Sequence, residues 1–211
     1  MYNSVRSAFI QFSLLEGRVN YMYLDIKGLV TTAEGILIDP VGSALRMPWQ
    51  HKDGSSATSN DIIMEWRKMK LHRELAQQGH RAARGLASLF LTESSMDRLI
   101  LDKFDSFAKI LKNYFPKLDE FPADAQLGLM SMAWAMGPAF APKFPVFTKH
   151  CNLLDFEEAA YECYINTKGN PGIIPRNHAN FKLFQAAAHV LEENLNPESL
   201  YGIELPKVDG E

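Results

Sequence analysis

The sequence is short of most features that would place a protein at once. It holds two cysteines, Cys151 and Cys163, too few for a disulfide framework. The expected state is a pair of ordinary, partly buried thiols, with a single bridge as the alternative. Neither cysteine has a histidine three or four residues away, so the pattern of a zinc site is missing and no metal is expected. No run of 18 apolar residues occurs, which excludes a membrane-spanning helix. There is no basic excess. The formal net charge is -3, which argues against nucleic acid as a partner and gives no bulk attraction to an anionic polymer. The N-terminal stretch MYNSVRSAFIQFSLLEG lacks an apolar core followed by a small-residue cleavage site, so no secretory leader is read there. No internal repeat or low-complexity segment is present.

What remains is ordinary in bulk: 211 residues, 46% hydrophobic and 22% charged, enough for one large domain or two small lobes. Helical periodicity dominates. Asn3 or Ser4 caps a first helix reaching about Leu15. Asp61 is expected to cap a helix that runs to about Gln78 and stops at Gly79. Residues 80–91 read as a further short helix, and 96–114 as a helix with a broad apolar face. Residues 124–136 are nearly all apolar or small, which predicts a buried central helix. After a Pro-broken stretch, Asp155 caps a helix to about Asn166, and the last helix follows Pro175 to about Leu195. The tail from Asn196 reads as an appendix. The one β signal lies between Tyr21 and Ile38, as three short strands with turns at 25–28 and 34–35. Between Asp39 and Asn60 a long polar loop carries Trp49, either a sugar-stacking ring or an anchor for the loop.

The chemistry is concentrated in EGRVNYMYLDIKGLVTTAEG, Glu16 to Gly35. Val5, Phe9, Phe12 and Glu16 fall at i, i+4, i+7 and i+11, which puts a carboxylate on the core-facing stripe of the first helix. Burying charge is costly, so such an acid has a raised pKa and can hold a proton for donation. Asp25 opens a turn near water and stays ionised. Two carboxyls in unlike environments, with the Thr31 hydroxyl close by, form the set that glycosidic bond hydrolysis requires. Spacing alone does not make a site, because most Glu and Asp pairs so placed are solvated surface.

The stretch resembles the active-site segment of the phage-type lysozymes, the muramidases of the T-even phage lysozyme family. In that family a Glu ends the first helix, an Asp follows with eight residues between, and a Thr comes after five more. Glu16, Asp25 and Thr31 match this spacing, and Gly17, Tyr23, Gly28 and Gly35 match further family positions. The segment Trp134 to Gly137 resembles the end of the family's buried helix. The run Pro175-Arg176-Asn177 resembles its Pro/Asn/Arg turn. One departure is plain: the family's Gly-x-Gly-His reads Ala33-Glu34-Gly35-Ile36 here.

The resemblance implies a mostly helical α+β fold, lysozyme-like, with a small antiparallel β-lobe, a larger helical lobe and the active-site cleft between them. The expected layout is a single domain, 1–211: first helix 4–16, β-lobe about 17–60, helical lobe about 61–195, tail 196–211. It implies Glu16 as general acid, Asp25 as base or electrostatic partner and Thr31 as the water-orienting hydroxyl, with Gly35 and Arg176 on the substrate side and no cofactor. The implied activity is cleavage of the β-1,4 bond between N-acetylmuramic acid and N-acetylglucosamine in peptidoglycan. The expected setting is a phage endolysin or an antibacterial effector or toxin. Such a protein is made in the cytoplasm and delivered to the wall by a lysis system or a secretion machine. A monomer is expected, with an immunity protein as partner if the chain is a toxin. The alternative is a lysozyme fold kept as a non-catalytic wall-binding or phage-tail module.

Overall fold

The β signal between Tyr21 and Ile38 becomes three very short strands, and helices surround it in sequence on both sides. The computed structural model describes residues 1–13, 18–168, 170 and 172–203. Their order is α1 (Asn3–Ser13), β1 (Tyr23–Leu24), β2 (Val30–Thr32), β3 (Ile36–Leu37), α2 (Val41–Ala44), α3 (Ser59–Leu71), α4 (His80–Ala83), α5 (Glu93–Leu111), α6 (Ala123–Met136), α7 (Pro145–Asn152), α8 (Phe156–Glu162) and α9 (Ile173–Glu192). The architecture is α+β and mostly helical, with one antiparallel sheet in the order β1-β2-β3. No helix among the described residues is long and apolar enough to cross a membrane. The chain forms two compact units, Met1–Phe12 with Lys103–Glu211, and Ser13–Asp102. Residues 61–102, which the sequence reading groups with the helical lobe, therefore cluster with the strands.

In the strand-bearing unit the sheet cannot stand alone, since three strands of two or three residues bury too little. Polar anchors from α3 hold it. Lys70 Nζ donates to Asp39 Oδ2 at 2.8 Å and to the Gly28 carbonyl at 2.9 Å. Trp66 Nε1 donates to the Ile38 carbonyl at 3.0 Å. Glu65, buried on the same helix, accepts from the Ser88 backbone at 2.7 Å and from its hydroxyl at 2.6 Å. The start of α3 differs from expectation. Thr58 is the N-cap, and Asp61 is the third helical residue, whose carboxylate reaches back to the Thr58 amide at 2.9 Å in a capping box. The helix stops at Leu71 and continues only as a 3-10 turn, Arg73–Gln77. The helix expected over 80–91 shrinks to four residues, and the chain then extends so that Phe90 pairs with Gln50. Trp49 is 2% exposed, with its indole N–H on the Ala44 carbonyl at 3.0 Å. It is the anchor, and no ring face is left for a sugar.

The helical unit is built differently. The largely apolar α6 is its buried axis, packed against α9, and α8 packs against both α7 and α9. Phe115, Phe121, Phe140, Phe147, Phe156 and Phe184 form a continuous set of tilted and edge-on ring contacts. Gly128 of α6 is part of this packing: a Cβ there would lie 2.8 Å from the Phe184 ring. α7 fills the stretch expected to be broken by proline. Pro145 sits in its first turn, where a missing N–H costs nothing. For the same reason Pro175 lies inside the first turn of α9, which begins at Ile173. The described part of the tail is no appendix. The Pro197 carbonyl accepts the Ala123 amide at 2.7 Å, and the buried Asp124 carboxylate accepts the Tyr201 and Gly202 amides at 3.0 and 2.8 Å. Cys151 and Cys163 are both free and buried.

Candidate active site

Glu16 lies outside the described residues. The site is therefore built from its other members, beginning with the hairpin that carries Asp25 and Thr31. Tyr23 pairs with Thr31 and Leu24 with Val30. The Asp25 amide then donates to the Leu29 carbonyl at 2.9 Å, which extends the ladder by one pair. Side chains alternate along a strand, so Tyr23, Asp25 and Thr31 share one face of the sheet. Asp25 and Thr31 are diagonal cross-strand neighbours, a relation that spans roughly 7–8 Å in antiparallel pairs.

Local hydrogen bonds fix both groups. Asp25 Oδ1 accepts the amides of Lys27 at 2.8 Å and Leu29 at 2.9 Å, and the Gly28 amide closes the turn on the Asp25 carbonyl at 2.8 Å. A short acidic side chain that bonds its own turn is a stable local motif. Thr31 is 3% exposed, and its hydroxyl donates to the Leu29 carbonyl at 3.1 Å. With its proton committed, Oγ1 is oriented as an acceptor.

Gly35 joins the same region. It has φ +72° in the turn between β2 and β3, a left-handed value that suits glycine. Burial and then the Asp25 charge push the Tyr23 phenol up to about 12. Arg176 belongs to the helical unit. It is 6% exposed, and its guanidinium donates to the Ser131 carbonyl at 2.7 Å and to the Ser131 hydroxyl at 2.9 Å. Burial lowers it to about 10.

Sequence reasoning missed Glu34. An acid beside a glycine in a hairpin turn reads as solvated, yet Glu34 is 1% exposed. Ala33 has φ +48°, an uncommon value for a residue with a Cβ, and its amide is tied to the Val19 carbonyl at 2.7 Å. Between two left-handed residues the Glu34 side chain is turned inward. Arg18 Nε stands 3.3 Å from Glu34 Oε1 and 3.2 Å from Glu93 Oε2, and the same guanidinium also pairs with Asp97. Burial raises the Glu34 carboxyl to about 7; the Arg18 charge opposes this and does not cancel it. The available signal was Arg18 itself, a cation two residues after Glu16 in an otherwise apolar approach to β1.

Other features are set apart. A cavity of about 660 Å³ along α3, lined in part by Met64, Lys68, Leu71 and Ser88, does not include Asp25 or Thr31. His189, Glu192 and Glu193 near the end of α9 bring their ligand atoms within 4.8 Å of one another, but all three are exposed, and exposed acidic groupings of this kind are common without a metal. The chain matches no known family model and no curated protein.

Proposed function

We propose that the protein is a peptidoglycan hydrolase, a muramidase of the phage-type lysozyme kind. It would cleave the β-1,4 bond between N-acetylmuramic acid and N-acetylglucosamine. The observation that carries the reading is the shared sheet face of Asp25 and Thr31, at the spacing that the lysozyme resemblance demands. Glu16 protonates the departing sugar oxygen. Asp25, held by two backbone donors on one oxygen, takes the proton of a water or stabilises the positive charge that develops on the sugar. Thr31, with its own proton committed to Leu29, accepts a hydrogen bond from that water and so orients it. A diagonal spacing of roughly 7–8 Å leaves room for the water between them. The glycan strand is the substrate, and no step calls on a cofactor. Delivery to the wall by a phage lysis system or a secretion machine belongs to the same proposal, as does an immunity protein in the producing cell if the chain is a toxin.

The test is clearing of purified sacculi. The wild-type chain should clear the suspension. A folded Glu16→Gln variant should lose at least ~10²-fold of the rate, the lower range for a removed proton donor. Clearing by the variant at the wild-type rate would reject the assignment, and so would the absence of clearing by the wild-type chain.

A further inference from the structure

Trp49, the ring that the sequence offers to a sugar, is buried. The most exposed aromatic side chains among the described residues are Tyr161 and Tyr164, at 63% and 61%. Tyr161 lies in the last turn of α8 and Tyr164 just beyond it. Apolar surface is costly to leave in water, and a cluster of it marks a binding place where a lone side chain does not. A pocket of about 260 Å³ opens between α7 and α8. Both tyrosines line it, with Glu162 from α8, Lys143 and Phe144 from just before α7, and Phe147 from the first turn of α7. Phe147 is 1% exposed and belongs to the ring core, so one wall of the pocket is packed interior. The two tyrosines are held in place. The Tyr161 ring meets the Phe181 ring edge-on at 5.5 Å, and the Tyr164 hydroxyl stands 3.4 Å from that of Thr167. A tyrosine so placed offers a large rigid face and loses little entropy when a ligand covers it.

We propose that this pocket binds one pyranose ring of a glycan strand, stacked on Tyr161 and Tyr164, as a non-catalytic anchor. The charges choose the ligand class. Among the described residues neither Lys143 nor Glu162 forms an ion pair. One cation and one anion cancel, so the pocket favours neither a phosphate nor an ammonium group. A hydroxyl both donates and accepts, and it can use the ammonium and the carboxylate together. The apolar C–H face of a pyranose suits an aromatic face. No side chain caps the first turn of α7, whose N–H groups are open to an acetamido carbonyl oxygen. Pockets for drug-sized molecules run to ~300–1,000 Å³, so this smaller one admits a single ring and leaves the strand outside. An aromatic groove for a proline-rich segment is the other use of paired rings, but such a segment spreads over several residues. A net charge of -3 gives the chain no bulk attraction to an anionic wall, so a hold on the wall must be local. A second hold on the strand raises the effective concentration of bonds to be cut. That the strand is peptidoglycan rests on the muramidase reading; the pyranose pocket does not.

The experiment titrates the full chain with a soluble β-1,4 tetramer of N-acetylglucosamine. NMR follows the Tyr161 and Tyr164 rings, the Val146 and Phe147 amides, and the Asp25 and Thr31 amides. The two rings and the Val146 and Phe147 amides should shift together along one saturation curve, in Glu16→Gln as in the wild type. With Tyr161→Ala and Tyr164→Ala combined, the Val146 and Phe147 shifts should vanish, and co-sedimentation with purified sacculi should weaken at least ~10-fold. Lys143→Ala, at an exposed side chain, should weaken the same shifts, and it keeps the test open if the double variant does not fold. Tyr164→Phe keeps the ring and should bind as the wild type does. Rings that stay still while the tetramer shifts Asp25 and Thr31 would overturn the proposal, as would rings that respond to a proline-rich peptide and not to the tetramer. Silence at every position would overturn it too. Pocket shifts without sacculus clearing leave the anchor standing and reject the enzyme; clearing with silent rings does the reverse.

Discussion

The two units of this chain are held together by different physics. In the helical unit, α6 to α9 enclose a chain of phenylalanine rings, and its buried polar side chains, Asp124, Gln126, Ser131, Arg176, Asn177 and Asn180, lie among helices rather than strands and turns. In the strand-bearing unit, Asp25, Asp39, Glu65, Lys70 and Arg18 hold short strands and turns by hydrogen bonds and ion pairs to backbone and to each other. A ring core depends on volume and ignores pH. A lattice of charged anchors depends on geometry and on protonation, and it can point a carboxylate and a hydroxyl at one place. The candidate chemistry lies in the second kind of unit because precise orientation of polar groups is what that unit is made of.

The largest effect separating the two units should come from the ring core. Phe147→Ala removes a fully buried ring that touches Phe115, Phe140 and Phe184, and should cost ~3–5 kcal/mol by denaturant unfolding. The loss should be the same at pH 5 and pH 8. A marked pH dependence would break the contrast. Next comes Asp25→Asn, which leaves the fold near neutral but should cut sacculus clearing by at least ~10²-fold, a barrier increase of ~2.7 kcal/mol. Glu65→Gln follows. It weakens the charged acceptor for Ser88 and Lys68 at a 3% exposed site and should cost ~1–3 kcal/mol in unfolding measurements at pH 7. The smallest is Thr58→Ala, which removes one half of the α3 capping box and should cost ~1 kcal/mol.

Two buried glutamates sharpen the comparison within the strand-bearing unit, since their signs are opposite. Burial raises the Glu65 carboxyl, but Lys68 and Ser88 outweigh burial and leave it lowered. Its contribution to stability is present above the unfolded value and is lost as pH falls through the lowered one. Glu34 goes the other way. Raised from 4.5 to about 7, it keeps its proton in the folded chain where the unfolded chain has released it. Stability from this group is complete below 4.5 and declines as pH rises to about 7. Thermal unfolding across that window should show a downward slope in the wild type that is shallower in Glu34→Gln. An unchanged slope would mean that Glu34 titrates normally.

Much of the architecture was legible because the periodicity was strong. Eleven of the fourteen residues of α6 are buried, as a nearly all-apolar run demands, and the hairpin turns at 25–28 and around Gly35 follow from their glycines. Helix ends were less legible. The stretch before Asp155 read as broken by proline, and the last helix was expected to follow Pro175, although a proline in a first turn is compatible with a helix. Asp61 read as a cap when it is the far half of a capping box. The candidate site divides in the same way. The resemblance singles out Asp25 and Thr31, and the strand pairing puts the two on one face of the sheet. Glu34 was hidden because its inward direction is set by the backbone of Ala33 and Gly35 and by Arg18, distant in sequence, and no local pattern encodes that.

The central claim is that this chain hydrolyses the glycan strand with Glu16 and Asp25. Mass spectrometry of the soluble products released from purified sacculi tests it most directly. The account predicts muropeptides with free reducing ends from the wild-type chain and none from folded Glu16→Gln or Asp25→Asn. Anhydro-muramyl ends, release by both variants at the wild-type rate, or no release from the wild type would contradict it.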